Sequence, residues 1–433
     1  MTLSGKKVLV YGTGKSGQGA AALLRETGAE PLFYDDAMGG LPAAVEGCDL
    51  AVLSPGVPVE APRVQELRRR GIRVIGEVEL AWETGRGRVF AITGTNGKTT
   101  TTTLLGEIMK AAAASVFVVG NIGTPYTSAA LQTRDDSVIV AEISSFQLET
   151  VDTFHPVVTA ILNITEDHLN RHHTMAEYSR VKESITANQT KADVCVLNFE
   201  DEELRRFGAA CPARVIWFSS ERELEEGFFL RDGAIWHAEN GKEEAVLPTD
   251  EIQIIGIHNY ENVMAAMAMA YAGGVPMPLI CDVVRAFRAV EHRIEYVGKK
   301  RGVVWYNDSK GTNPDAAIKG IKAMRWPTFL IGGGYDKGAD YKPWIRAFDG
   351  KVKAFLLEGK TAENIRRDAL DCGFPEEKIV MCGSMTEAMR YAASHAEEGD
   401  AVLLSPACAS WGEFPNYEVR GREFKAFFES IDG

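Results

Sequence analysis

Cysteine is scarce in this 433-residue sequence, and its spacing excludes two common uses of the residue. There are seven cysteines, an odd number, and no two of them form a C-x-x-C pair. Neither a disulfide framework nor a cysteine zinc site is indicated, so we expect reduced thiols. The sequence also lacks any apolar run of the ~18 residues that a membrane-spanning helix needs. These absences predict a cytoplasmic protein without a membrane span.

The net charge limits the partners that the protein can bind. Aspartate and glutamate outnumber lysine and arginine by 60 to 47, which gives a formal charge of −13. Nucleic-acid backbones and anionic membranes are therefore not expected as partners. Because 45% of the residues are apolar, the chain has the composition of a globular protein, and its length predicts two or three domains.

Strands alternate with amphipathic helices along most of the chain, which predicts an α/β fold with parallel sheets. We divide the chain into three blocks, residues 1–88, 89–289 and 290–433, each expected to form a domain. The predicted strands are Lys7–Tyr11, Glu30–Tyr34, Val89–Ile92, Ser137–Ile143, Val157–Leu162, Val194–Asn198, Val303–Asn307, Thr328–Ile331, Ala354–Leu357 and Ala401–Leu404. Two helices are predicted at Gln18–Thr27 and Asn262–Ala272.

A glycine-rich loop opens the second block between a predicted strand and a predicted helix. Its residues are Gly94, Thr95, Asn96, Gly97, Lys98, Thr99 and Thr100. Backbone N–H groups of such a loop bind phosphate oxygens, a lysine reaches the β- and γ-phosphates, and a threonine hydroxyl can bind Mg²⁺. The expected ligand is a nucleoside triphosphate, although Ile92 occupies the position of the first glycine in the general motif.

The first block also carries a glycine turn, Gly12-x-Gly14-x-x-Gly17, after its first strand. An acidic pair, Asp35 and Asp36, follows the second strand, as in dinucleotide-binding domains. Alone, this pattern leaves three alternatives open. The block could bind a nicotinamide cofactor of a dehydrogenase, it could bind another nucleotide-like molecule, or the aspartates could be turn residues.

Several oxygen ligands in the second block could hold a metal ion beside the triphosphate. Glu142 ends an apolar strand, and His168 follows another in the segment Asn163–His168. Mg²⁺ prefers oxygen ligands, so Thr99 and Glu142 would suit a first ion, whereas His168 fits a structural or substrate-orienting role better. A zinc cluster of His168 with the histidines at 172 and 173 is the weaker alternative.

Polar loops follow three predicted strands of the third block, at Asn307–Pro314, Gly332–Gly338 and Ser405–Trp411. Converging loops with lysine, serine, threonine and aspartate are typical of a pocket for a small, charged, amino-acid-like molecule. Together with the phosphate loop, they favour an enzyme that joins two molecules at the expense of a nucleotide. A non-catalytic nucleotide switch remains the alternative.

Ordered motifs along the whole chain resemble the ATP-dependent Mur ligases of peptidoglycan synthesis. The matching segments are Gly94–Thr99, Gly120–Gly123, Glu142–Leu148, Asn163–His168, Gly256-x-His258-Asn259, His292-Arg293, Asn307–Lys310 and Ser405–Ser410. The resemblance implies a Rossmann-like N-terminal domain, a central P-loop ATPase-like domain and a Rossmann-like C-terminal domain. The first block and the final loop resemble the branch that adds D-glutamate to UDP-N-acetylmuramoyl-L-alanine. Folylpolyglutamate synthase shares the phosphate loop but lacks the first block.

The resemblance implies ATP, two Mg²⁺ ions and an acyl-phosphate intermediate. Lys98, His168, Lys182 and Glu142 would be catalytic, and the metal ligands would be Thr99, Glu142, His168 and a carbamate formed on Lys182 by CO₂. The residue pattern alone favours an ordinary helix-surface lysine at position 182.

The resemblance also assigns three small-molecule sites in a protein that we expect to be a monomer. ATP would contact the phosphate loop from Gly94 to Thr100 together with Asn259, Arg293 and Asp308. The UDP-linked substrate would contact Lys15, Ser16, Asp35, Gly56 and Asn121. D-Glutamate would contact Lys310, Thr312, Lys337, Ser410 and Tyr417.

Overall fold

The chain folds into two compact units of mixed α/β structure in a computed structural model, which describes residues 2–39, 43–121, 123–288, 291–335 and 338–431. Residues 1–251 and 261–285 form the first unit, and residues 252–260 and 286–433 form the second. The α/β prediction is confirmed. The block boundaries after residues 88 and 289 stay a prediction. Within the described residues, no helix combines the length and apolar character needed to cross a membrane.

Within the part of the chain that the structure describes, a four-stranded parallel sheet opens the first unit, in the order β2-β1-β3-β4. Its strands are β1 (Lys7–Tyr11), β2 (Glu30–Tyr34), β3 (Cys48–Leu53) and β4 (Arg73–Gly76). Its helices are α1 (Lys15–Glu26), α2 (Pro62–Arg69) and α3 (Glu77–Thr84). Residues 8–11 of β1 are all buried, which explains why this strand is a continuous apolar run without alternation.

The larger sheet of the first unit has nine strands among the described residues, in the order β13-β12-β11-β10-β9-β8-β5-β7-β6. The strands are β5 (Arg88–Thr93), β6 (Val116–Gly120), β7 (Val138–Glu142), β8 (Val158–Ile161), β9 (Val194–Asn198), β10 (Arg214–Ser219), β11 (Gly227–Arg231), β12 (Ala234–Glu239) and β13 (Lys242–Pro248). The helices that follow β5 along the chain are α4 (Lys98–Ala112), α5 (Tyr126–Ala129), α6 (Ser145–Leu148), α7 (Leu169–His172), α8 (Met175–Glu183), α9 (Glu202–Gly208), α10 (Ile257–Ala272) and α11 (Met277–Ala286).

The sheet of the second unit has six strands in the described residues, in the order β14-β15-β19-β16-β17-β18. The strands are β14 (Glu295–Lys300), β15 (Val303–Asn307), β16 (Thr328–Gly333), β17 (Val352–Glu358), β18 (Ile379–Met381) and β19 (Ala401–Leu404). The helices are α12 (Pro314–Ala323), α13 (Lys342–Arg346), α14 (Ala362–Asp371), α15 (Met385–His395) and α16 (Tyr417–Ser430). Buried aliphatic and aromatic side chains, among them Trp305 and Trp344, fill both faces of this sheet.

The sequence predicts parallel pairing throughout, but three strand pairs are antiparallel. β14 pairs antiparallel with β15, and β11, β12 and β13 form an antiparallel edge on the nine-stranded sheet. Two tight turns, Asp232-Gly233 and Asn240-Gly241, connect the strands of this edge with positive φ at all four residues. Such dipeptides favour the two-residue turns of antiparallel hairpins, so the sequence contains the signal for this edge.

Candidate functional site

The phosphate loop lies at the carboxyl end of β5, within the parallel part of the nine-stranded sheet. It follows β5, whose neighbours in the sheet are β7 and β8, so the carboxyl ends of three parallel strands meet there. Gly94 and Gly97 have positive φ, and a Cβ on Gly97 would lie 2.1 Å from Oδ1 of Asn262. The loop therefore requires glycine at position 97. The buried Asn262 behind it was not among the predicted site residues, although a polar amide before the apolar run 263–270 of α10 was a usable signal.

The segment after β8 fixes the backbone of the phosphate loop. Thr95 N donates to Asn163 O at 2.9 Å, and Asn96 N donates to Asn163 Oδ1 at 2.8 Å. The Asn163 amide returns a hydrogen bond to Asn96 O at 3.1 Å, and the Thr95 hydroxyl donates to Thr165 O at 3.1 Å. The loop is thus preorganised by hydrogen bonds from a neighbouring strand end, as a phosphate site needs.

Two of the predicted catalytic lysines share one acceptor. Lys98 Nζ donates to the carbonyls of Gly94 and Thr95 at 2.8 and 2.9 Å, and Lys182 Nζ donates to Gly94 O at 2.9 Å. Lys182 is 1% exposed, with its ammonium 4.6 Å from the centre of the Tyr178 ring. Burial, and secondarily the charge of Lys98, lower the pKa of Lys182 to about 7. The helix-surface interpretation of this lysine is therefore wrong, because α8 turns it into the interior.

Glu142 and Asn121 are also brought together. Asn121 Nδ2 donates to Glu142 Oε1 at 2.9 Å, and Asn121 N donates to Glu142 O at 2.8 Å. Glu142 is 1% exposed, and its Oε2 has no hydrogen-bond partner among the described residues. A buried carboxylate oxygen without a partner is costly unless it binds a proton or a cation. This oxygen therefore suits a metal ion beside the phosphate loop.

The three nearby histidines have separate surroundings. His168 directly precedes α7 in a left-handed conformation, with φ of +53°, and its side chain is half exposed. His172 contacts Ser145 Oγ at 3.0 Å through Nε2, while His173 contacts Glu60 at 3.1 Å. Among the described residues no group of three histidine, cysteine, aspartate or glutamate side chains could hold a metal ion. The structure therefore does not support the zinc alternative.

Lys15 and Ser16 lie in the first turn of α1, because the helix begins at Lys15 and not at the predicted Gln18. Lys15 Nζ donates to Gly123 O at 2.7 Å. Ser16 is partly exposed. Lys15 thus connects the glycine turn of the first sheet to the segment after β6. Glu77, the first residue of α3, is buried, and burial raises the pKa of its carboxyl group.

Asp35 and Gly56 follow β2 and β3 at the carboxyl edge of the first sheet. Asp35 accepts hydrogen bonds from Ala37 N at 3.2 Å and from the Thr13 hydroxyl at 3.4 Å. The carbonyl of Gly56 lies 3.5 Å from a guanidinium nitrogen of Arg171. Ligands of parallel α/β sheets bind at this edge, which is consistent with a nucleotide-like ligand there.

In the second unit, Asp308 lies at the carboxyl end of β15 and is 4% exposed. Ser405 Oγ donates to it at 2.7 Å and Ile294 N at 3.3 Å, and burial raises its pKa to about 7. The Lys310 ammonium lies 5.5 Å from the centre of the Tyr417 ring, so these two predicted D-glutamate residues are neighbours.

The remaining predicted residues are placed as follows. Thr99 and Thr100 lie in the first turn of α4, where Thr100 is buried and Thr99 is partly exposed. Asn259 is buried and donates to Ile255 O at 2.8 Å, Arg293 is partly exposed, and Ser410 is buried. Thr312 N donates to Lys310 O at 2.9 Å. Lys337 lies outside the described residues.

Arg420 was not among the predicted site residues, yet it joins two of the candidate loops. It donates to Ser309 Oγ at 3.0 Å, to Ser309 O at 2.9 Å and to Cys408 O at 3.1 Å, and it is completely buried. Burial lowers its pKa to about 10. Its spacing of four residues from Phe424, and of eight from Phe428, puts it on the buried face of α16 and was the available signal.

Comparison with known proteins identifies two matching domains. Residues 92–270 match the model of the Mur ligase middle domain, and residues 292–408 match the Mur ligase, glutamate ligase domain. The UDP-N-acetylmuramoylalanine–D-glutamate ligase of Lachnoclostridium phytofermentans is 53% identical, over 100% of this chain and 99% of the relative. That of Thermoanaerobacter sp. is 44% identical, over 98% of each chain.

Solved structures with a similar fold have lower sequence identity. UDP-N-acetylmuramate-alanine ligase MurC from Thermotoga maritima has a TM-score of 0.60 at 18% identity, covering 98% of this chain and 99% of that one. MurF ligase from Thermotoga maritima in complex with ADP has a TM-score of 0.57 at 17% identity, covering 98% and 94%. The full-length identity and the two domain matches lead to one conclusion: the chain belongs to the Mur ligase family.

Proposed function

We propose that this protein adds D-glutamate to UDP-N-acetylmuramoyl-L-alanine, using ATP, during the cytoplasmic synthesis of peptidoglycan precursors. The observation that carries the proposal is the 53% identity, over the whole chain, to a ligase named for this reaction. The preorganised phosphate loop supports the use of ATP, and the MurF relative was solved with ADP. A dehydrogenase or a nucleotide switch has no comparable support.

The reaction proceeds in two steps. The substrate carboxylate attacks the γ-phosphorus of ATP, which gives an acyl phosphate and releases ADP. The amine of D-glutamate then adds to the acyl carbon, and phosphate leaves as the amide bond forms. Phosphoryl transfer depends mainly on positioning and charge neutralisation. Lys98 supplies positive charge when its ammonium group donates to a phosphate oxygen in place of a carbonyl of the loop.

The residues beside the loop fit Mg²⁺. Thr99, Glu142 and His168 would hold two ions, with the unpaired Oε2 of the buried Glu142 as an anionic oxygen ligand. When bound, Mg²⁺ neutralises the phosphate oxygens and the charge that develops in phosphoryl transfer. Asn121 holds the carboxyl group of Glu142 through Oε1, which leaves Oε2 for the ion.

Lys182 completes this ligand set as a carbamate. Its neutral amine adds to the carbon of CO₂, an N–C bond forms, and a proton is released to solvent. A pKa of about 7 makes the neutral amine available at physiological pH. The product is an anionic oxygen ligand, whereas an ammonium ion would repel Mg²⁺.

The substrates divide among the three blocks, whose boundaries we retain as domains 1–88, 89–289 and 290–433. Lys15, Ser16, Asp35, Gly56 and Asn121 bind the UDP-linked substrate. The phosphate loop, Asn259, Arg293 and Asp308 bind ATP. Lys310, Thr312, Lys337, Ser410 and Tyr417 bind D-glutamate. Because donor and acceptor bind to different blocks, the reaction requires domain closure. We expect the active form to be a monomer.

The test is phosphate release from ATP with each substrate added singly and together. Release should require both UDP-N-acetylmuramoyl-L-alanine and D-glutamate, and it should match the amount of amide product. A rate of phosphate release that does not depend on the amino acid would instead indicate a nucleotide switch. A change in nicotinamide absorbance would support the dehydrogenase alternative.

A further inference from the structure

Arg171 of α7 forms a buried ion pair with Glu149, the residue after α6. Its Nε lies 3.1 and 3.2 Å from the two carboxylate oxygens, and its Nη2 lies 2.6 Å from Oε2. The two side chains are only 13% and 7% exposed. A guanidinium group bound by two nitrogens has a fixed orientation, which a lysine could not provide.

The other side of the same guanidinium group binds the loop after β3. Nη2 donates to Val57 O at 2.8 Å, and Nη1 donates to Gly56 O at 3.5 Å. A single side chain therefore joins three segments: α7, the end of α6, and the loop that follows β3 of the first sheet. Glu149 neutralises the charge, so the arginine can stay buried at this junction.

His168 depends on the same junction. The Phe146 ring contacts both side chains, with its centre 5.1 Å from the Arg171 guanidinium carbon and 4.9 Å from the centre of the His168 ring. His172 Nδ1 lies 3.4 Å from Glu149, which further ties α7 to α6. Movement of Arg171 would therefore disturb both the Gly56 loop and the start of α7.

We propose that Arg171 is a positioning residue for the UDP-linked substrate. It fixes the Gly56 loop relative to His168, so the nucleotide end and the reacting carboxylate are held at a set separation. This role rests on the proposed function, because Gly56 and His168 serve the two ends of that substrate. Binding energy from a remote nucleotide can then be used to orient the carboxylate.

A cavity beside the ion pair makes the proposal directly testable. It has a volume of about 340 Å³ and is lined by Arg171, Glu149, Val59 and Arg180, among others. Free guanidinium ions can therefore reach the position that the side chain leaves in an Arg171→Ala variant. Arg180 lines the same cavity but pairs with Glu177 on its own helix, so it provides a matched control.

The experiment measures the dissociation constant for UDP-N-acetylmuramoyl-L-alanine by calorimetry, without ATP or D-glutamate. Arg171→Ala should weaken binding about tenfold or more, the scale of losing partners from a buried polar cluster. Millimolar guanidinium chloride should restore part of the affinity, whereas sodium chloride at equal ionic strength should not. The KM for ATP should stay unchanged. Arg180→Ala should bind normally and should not respond to guanidinium.

An unchanged dissociation constant in Arg171→Ala would overturn the proposal. So would an equal loss of affinity for all three substrates without rescue, because that pattern describes a purely structural ion pair. If Arg171→Ala does not fold, Glu149→Gln replaces it in the experiment. An unaltered affinity for the UDP-linked substrate in that variant would also overturn the proposal. Failure of the unmodified protein to bind this substrate would count against the proposed function itself.

Discussion

At the scale of single residues, two lysines that donate to the same carbonyl of Gly94 differ in their burial. Lys98 is partly exposed, so a ligand in the phosphate loop can contact it, whereas Lys182 is buried. Burial and the neighbouring positive charge both favour the neutral amine of Lys182. These surroundings therefore suit the two roles that we propose, Lys98 as a charge and Lys182 as a nucleophile toward CO₂.

Lys98→Ala should abolish turnover, because the ammonium stabilises charge on the transferred phosphoryl group. The measurement is the steady-state rate of phosphate release at saturating substrates. Lys110→Ala is a suitable control, since this exposed lysine pairs with the exposed Glu107 on its own helix. Turnover above about a tenth of the normal rate, a loss of ~1.4 kcal/mol or less, would contradict the assigned role.

Lys182→Ala should be nearly inactive, and high concentrations of formate or acetate should restore part of the activity. The small carboxylate would occupy the position of the lost carbamate and supply an oxygen ligand to the metal. Labelling with ¹³CO₂ should also give a carbamate NMR signal in the unmodified protein but not in the variant. Near-normal activity of Lys182→Ala, or an unlabelled lysine in the ATP complex, would refute the carbamate.

The depressed pKa of Lys182 predicts how stability depends on pH in CO₂-free buffer. The folded-state pKa is about 7, whereas an unfolded lysine titrates near ~10.4. Between these values the unfolded chain binds more protons, so stability should rise with pH across this window and should be lost as pH falls. Urea unfolding from pH 7 to 10 measures this slope. Lys182→Met should flatten it, and an equal slope in both proteins would disprove the shift.

At the scale of elements, the first glycine turn provides a matched pair of substitutions. A Cβ on Gly17 would lie 1.9 Å from Gly12 O, whereas a Cβ on Gly14 would meet no atom within 4 Å. Gly14 also has an ordinary φ of −72°. Gly17→Ala should therefore lower the melting temperature and weaken binding of the UDP-linked substrate, while Gly14→Ala should change neither. Similar behaviour of both variants would show that the turn is not closely packed.

The ends of a strand were predictable from the sequence where the strand is one continuous apolar run. β1, β2, β9, β15 and β19 begin and end at the predicted residues, because polar or glycine-rich segments flank their apolar runs. Helix ends were less certain: α10 begins at Ile257, five residues before the predicted start. Its first turn mixes the exposed Ile257 with His258 and Asn259, and it lacks the continuous alanine and methionine run that predicts the rest.

The candidate site was predictable where loops follow strands, and not where it depends on distant partners. The phosphate loop and Glu142 were placed correctly relative to their strands, because strand ends of a parallel sheet share one edge. The contact of Asn262 with Gly97 crosses 165 positions of the chain, since 262 minus 97 is 165. Local patterns mark Asn262 and Arg420 as polar residues on buried helix faces, but they do not identify the distant partners of these side chains.

At the scale of the whole molecule, an acidic chain must bind three anionic substrates. Its formal charge of −13 repels such ligands at long range, so affinity depends on local positive charge. Burial of acidic groups helps: Glu77 and Asp308 have raised pKa values, so their negative charge is disfavoured. Preorganised N–H groups and buried cations then act in surroundings of low dielectric constant.

The division of substrates between blocks gives the last prediction, which compares two substitutions far apart in the chain. Asp35→Ala should raise the KM for the UDP-linked substrate, because it removes a hydrogen-bond acceptor for the nucleoside at the edge of the first sheet. Lys337→Ala, assigned from the sequence motif alone, should raise the KM for D-glutamate strongly and that for ATP little, since it removes a charge partner of one substrate only. Full kinetics with each substrate varied in turn separates the two patterns. The same pattern in both variants would mean that the assignment of substrates to blocks is wrong.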